Sequence, residues 1–99
     1  MNKNIPGTRV AAILDSDETG VRFFGYGVYV GDEVPPADVG GMGQMLRENG
    51  MKNPRINLDN GGYVFGCECW WMTELEFLNR FGVIPITHVR PDRVVVPEA

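Results

Sequence analysis

A chain of 99 residues has the length of one domain, and 43% hydrophobic residues with 10% aromatic supply a single core without disulfide staples, which excludes a disordered chain. Thirteen acidic residues against nine basic ones leave a net charge of −4. That balance disfavours nucleic acid as a partner, because phosphate binding needs a basic face that releases counterions.

The first element in chain order is Thr8 to Leu14, a β-branched and apolar run that ends in the polar stretch Asp15-Ser16-Asp17-Glu18-Thr19-Gly20. Val21 to Val30 resumes as a strand, so a hairpin with a loop of about six residues is expected. Both faces of this second strand are apolar. Simple alternation puts Val21, Phe23 and Tyr29 on one side and Phe24, Tyr26, Val28 and Val30 on the other. Gly25 and Gly27 inside it predict a bend, a bulge or a close backbone approach.

Met42, Met45 and Leu46 are spaced as one edge of a short helix packed on the sheet, with Gly50 as its stop. Asn53-Pro54 leads into a strand over Arg55 to Leu58. Asp59-Asn60-Gly61-Gly62 is the clearest hairpin turn, since Asn-Gly supplies positive φ. Tyr63 to Trp71 is read as one continuous return strand. Thr73-Glu74-Leu75-Glu76 forms a capping box for a helix that runs through Leu78 and Phe81 to Gly82. Val83 to Val89 and Arg93 to Val96 are expected as edge strands. The fold class is therefore α+β: a small, strongly bent antiparallel sheet or a partly open, SH3-like barrel with two short helices, in one domain over 1–99.

The extended reading of Tyr63 to Trp71 sets the candidate site. Glu68 and Trp70 would emerge side by side, Glu68 with Arg22 or Arg55 as a cross-strand partner. An aromatic ring beside a carboxylate suits a planar, hydrogen-bonding ligand or a protein partner. The expected binding residues are Trp70, Glu68, Tyr26, Arg22 and Arg55. Cys67 and Cys69 are two strand residues apart, at the outer limit for a disulfide. With His88 as the only histidine they are too few for a structural zinc. They are expected as core residues, with a thiol nucleophile paired to His88 as the competing enzymatic reading. No cofactor motif is present, and Arg90-Pro91-Asp92-Arg93 is read as solvated turn charge.

The segments Phe24-Gly25-Tyr26-Gly27-Val28-Tyr29-Val30-Gly31-Asp32 and Leu58-Asp59-Asn60-Gly61-Gly62-Tyr63-Val64-Phe65-Gly66-Cys67-Glu68-Cys69-Trp70-Trp71 resemble small uncharacterised proteins of tailed bacteriophages and prophages. The resemblance spans about Gly7 to Phe81. It implies no catalytic residue, only a setting: a phage accessory protein in the bacterial cytoplasm. Such proteins act by occupying a host defence protein or by sequestering a nucleotide signal.

The expectation is thus a non-enzymatic binding protein, cytoplasmic and homo-oligomeric, without a membrane segment. Its partner is a host protein or a small nucleotide-like ligand. A virion or assembly component is the remaining alternative.

Overall fold

The computed structural model describes residues 2–95. Two long strands form its centre: β1 (Arg9–Asp17) and β2 (Gly20–Glu33). Their hairpin is tighter than six residues, because most of the polar stretch joins the ladder and only Glu18 and Thr19 turn. The Asp17 carboxylate closes that turn, accepting from Thr19 N at 2.8 Å, Thr19 Oγ1 at 2.6 Å and Gly20 N at 3.2 Å.

Helix α1 (Met42–Glu48) follows, then β3 (Asn53–Leu58), β4 (Tyr63–Phe65), a single 3-10 turn over Gly66–Glu68, β5 (Trp70–Thr73), α2 (Glu74–Phe81) and β6 (Ile86–His88). Strands lie in the order β4-β3-β2-β1-β5, all antiparallel, and β6 pairs in parallel with Val21–Phe23 of β2. In a flat sheet β4 and β5 would stand about 19 Å apart. The link from Phe65 to Trp70, mostly a 3-10 turn, spans only about 13 Å. The sheet must therefore curl, and it does so without closing.

Bulges in β2 provide the bend. Phe24 is skipped where Ala12 pairs with Gly25 and Ile13 with Phe23, and Gly25 takes φ 138°, a conformation that disfavours any side chain. This extra residue resets the alternation. Phe24 and Tyr29 share one face, with Val10, Ala12, Ile56, Leu58 and Val64. Val21, Phe23 and Tyr26 share the other, with Ala11, Ile13, Met72 and Phe77. Uninterrupted alternation across Gly25 is corrected accordingly. At Gly27 a Cβ would lie 2.3 Å from the carbonyl oxygen of Asn57, so β3 can approach only a bare backbone.

The second face is covered by α2. Phe77, fully buried, stacks on Phe23 at 4.7 Å and meets the Tyr26 ring edge-on at 5.6 Å. The helix starts where the sequence signals it, with the Thr73 hydroxyl accepting from Glu76 N at 3.2 Å, and Gly82 caps its end.

Two expected elements differ. Helix α1 forms, but Gly43 and Leu46 face inward and Met42 and Met45 are exposed. A Cβ at Gly43 would fall 2.3 Å from Val39 Cγ1, so close approach to that loop sets the helix rotation. The C-terminal strands shrink to Ile86–His88, and residues 89–95 have no regular structure. Val96, expected at the end of the last strand, lies outside the described residues. Among the described residues no helix is long and apolar enough to cross a membrane.

Candidate functional site

The tract from Tyr63 to Trp71 is not one strand. One tertiary and one local contact hold its 3-10 turn: Cys67 N donates to Asn53 Oδ1 at 2.8 Å, and the Glu68 carboxylate accepts from Phe65 N at 3.0 Å. Glu68 thus turns back toward β4 instead of emerging beside Trp70. Its partner is neither Arg22 nor Arg55 but Arg93, whose Nη1 lies 2.6 Å from Glu68 Oε2.

The Arg93 guanidinium also donates to the Tyr63 carbonyl and sits 4.6 Å from the centre of the Tyr63 ring, with its Nε 3.8 Å from Asp38. Tyr63 donates its hydroxyl to Asp38 at 2.5 Å, and Arg55 lies 4.6 Å from the same ring. Burial, then Asp38, raises the Tyr63 pKa. Three of the four outward backbone groups of β4 have partners: Tyr63 C=O takes Arg93, Phe65 N–H takes Glu68, and Phe65 C=O takes the Cys69 thiol at 3.4 Å, while the Tyr63 N–H has no acceptor among the described residues.

Tyr63 and Arg93 also border an open cleft of about 410 Å³ with Asp38, Asn60 and Arg90. Of the two arginines at this cleft, Arg93 is already held by Glu68, Tyr63 and Asp92, so its charge is committed inside the chain.

Trp70 stands apart from this network. Its side chain is 72% exposed, while its neighbour Trp71 is half-buried against Tyr29, ring centres 5.2 Å apart. Trp70 borders an open groove of about 500 Å³ with Lys3, Leu14, Trp71 and the 3-10 turn. Lys3 Nζ lies 4.4 Å from the Trp71 ring centre and donates to the Trp71 carbonyl at 3.1 Å.

The other expected site residues do not converge on it. Tyr26 is half-buried in the α2 face, where burial raises its pKa, and lines a different cleft of about 300 Å³ with Phe23, Gly25, Asn60 and His88. Arg22 pairs across the hairpin with Asp15, whose pKa it lowers. Arg55 reaches Glu33 at 3.4 Å and Asn57 at 2.9 Å.

The cysteines are free thiols. Burial, then Glu68, pushes Cys69 up to about 12, and the same two causes raise Cys67. Neither lines the cleft that holds His88. These are conditions that suppress thiolate. Among the described residues no group of three or more His, Cys, Asp or Glu side chains is arranged to hold a metal ion. Sequence reasoning missed Lys3 and Arg93 because their partners are 68 and 25 to 30 residues away, and nothing local signals such contacts.

No known protein family, curated protein or solved structure matches the chain.

Proposed function

We propose that the chain is a non-enzymatic binding protein that engages a partner protein at the groove beside β5, with Trp70 as its anchor. The observation that carries this reading is the exposed indole on an ordered strand. A tryptophan left 72% open withholds apolar area whose burial is worth roughly 3–4 kcal/mol, and hydrogen-bonded strand geometry holds it with little left to order on binding. The clefts are open to solvent rather than enclosing, which suits a macromolecular surface better than a small ligand. The resemblance to phage-encoded proteins points to a bacterial host protein as the partner, met in the host cytoplasm as part of a counter-defence role.

A nucleotide-type ligand is the second reading. It rests on the cleft where Phe23, Tyr26 and His88 surround the side-chain-free Gly25, with Asn60 at its rim. The raised thiols speak against the cysteine-dependent alternative.

The deciding experiment is affinity capture from bacterial lysate with the wild-type protein and Trp70→Ala, each checked by thermal melting. Loss of a stoichiometric partner at unchanged melting temperature supports the Trp70 groove. Unchanged capture by Trp70→Ala sinks it, and a retained nucleotide lost in Tyr26→Ala favours the second reading.

A further inference from the structure

The backbone of β5 carries an inference about how that partner is held, and it rests on the reading of Trp70 as the anchor. Hydrogen-bonding direction alternates along a strand. Tyr29 N bonds Thr8 O, so the pairs Val10 with Gly27 and Ala12 with Gly25 face β2. Ala11 and Ile13 then face β5, opposite Met72 and Trp70. Trp71 is left with both its N–H and its C=O pointing away from the sheet. Lys3 reaches the carbonyl, and the N–H has no acceptor among the described residues. This edge borders the 500 Å³ groove, with the Trp70 indole beside it.

We propose that the β5 edge receives an extended segment of the partner protein as an added antiparallel strand, pairing with the N–H and C=O of Trp71 while an apolar side chain of that segment lies on Trp70. Strand addition of this kind takes its affinity from main-chain bonds and its specificity from alternate side chains. Charge defines the segment further. The Lys3 ammonium has only a carbonyl and a ring as partners, whereas Glu68 is already paired with Arg93. The incoming strand therefore carries a carboxylate that draws Lys3 off the Trp71 carbonyl. A second copy of this chain fits the edge worse, because its own β5, Trp70–Thr73, carries no carboxylate for Lys3.

The test uses the full chain and eight-residue peptides alternating Val and Thr with one Asp, unmodified or N-methylated at alternate amides. Titration is followed by fluorescence, and exchange of the Trp71 amide by NMR. The expected results are at least tenfold slower Trp71 exchange on binding, at least tenfold weaker binding of the one methylated series that blocks the pairing edge, and a severalfold loss on Asp→Asn that vanishes in Lys3→Ala. Equal binding of both methylated series, with Trp71 exchange unchanged, overturns strand addition. No peptide binding up to millimolar concentration also overturns it, as does a dimer whose Trp71 amide is already protected. Lysate capture that stays sensitive to Trp70→Ala in those cases leaves the Trp70 reading standing, so the two failures are distinguishable.

Discussion

The two outermost strands, β4 and β5, end the sheet in different ways. Each turns backbone groups outward, and each has a cation donating to an outward carbonyl while lying over the aromatic ring of that same residue: Arg93 at Tyr63, Lys3 at Trp71. At β4 the cover is a fixed pair, because the Arg93 guanidinium comes locked to the Glu68 carboxylate and between them they take the Tyr63 carbonyl and the Phe65 N–H, leaving the Tyr63 N–H without an acceptor among the described residues. At β5 the cover is one lysine from the N-terminal segment, and the Trp71 N–H has no acceptor among the described residues. A guanidinium locked by a carboxylate is a permanent cap, whereas an ammonium on a flexible stem is displaceable. The difference is between an edge under a fixed charged cover and one under a displaceable cover.

The largest effect should come from breaking the Arg93–Glu68 cap. Arg93→Ala leaves the half-buried Glu68 carboxylate without its cation and the Tyr63 carbonyl without a donor, a loss of about 2–3 kcal/mol in urea unfolding. A cost below about 0.5 kcal/mol would show that the pair contributes no more than a surface ion pair. Glu68→Gln keeps an acceptor for Phe65 N and removes only the charge, so about 1 kcal/mol is expected. Lys3→Ala at the other edge should cost less than about 0.5 kcal/mol while speeding no core amide in hydrogen exchange.

The thiols extend the contrast to pH. Cys69 seals the last carbonyl of β4, and a folded value of about 12 means it labels about a thousandfold more slowly at pH 7 than a free thiol of ordinary pKa, as thiol-reagent kinetics would report. A thiol raised on folding stabilises the native state fully below its ordinary value, near 9, and loses that contribution as pH climbs toward 12. Urea midpoints should therefore fall between those limits in the wild type and fall less in Cys69→Ala.

Several elements were legible because their cause is local. The Asn60-Gly61 turn, the Thr73 cap, Gly82 as a helix stop and the bend at Gly25 each follow from the conformational freedom or hydrogen-bonding reach of residues adjacent in sequence. The candidate site was legible only at Trp70. Glu68 looked like its companion because alternation was carried through Gly66, where Asn53 and Glu68 itself impose a 3-10 turn. Tyr26 was placed on the wrong face because one skipped residue at Phe24 inverts the alternation that follows.

The amino-acid sequence by itself determined an α+β chain with a bent antiparallel sheet and two short helices, since hydrophobic period, turn chemistry and capping act over a few residues. Tertiary structure alone decided which tryptophan is buried, which face of α1 is apolar, and which cation covers each sheet edge. Those outcomes depend on side chains such as Lys3 and Arg93 meeting backbone groups far along the chain, and only the closed geometry of the fold brings them within hydrogen-bonding distance.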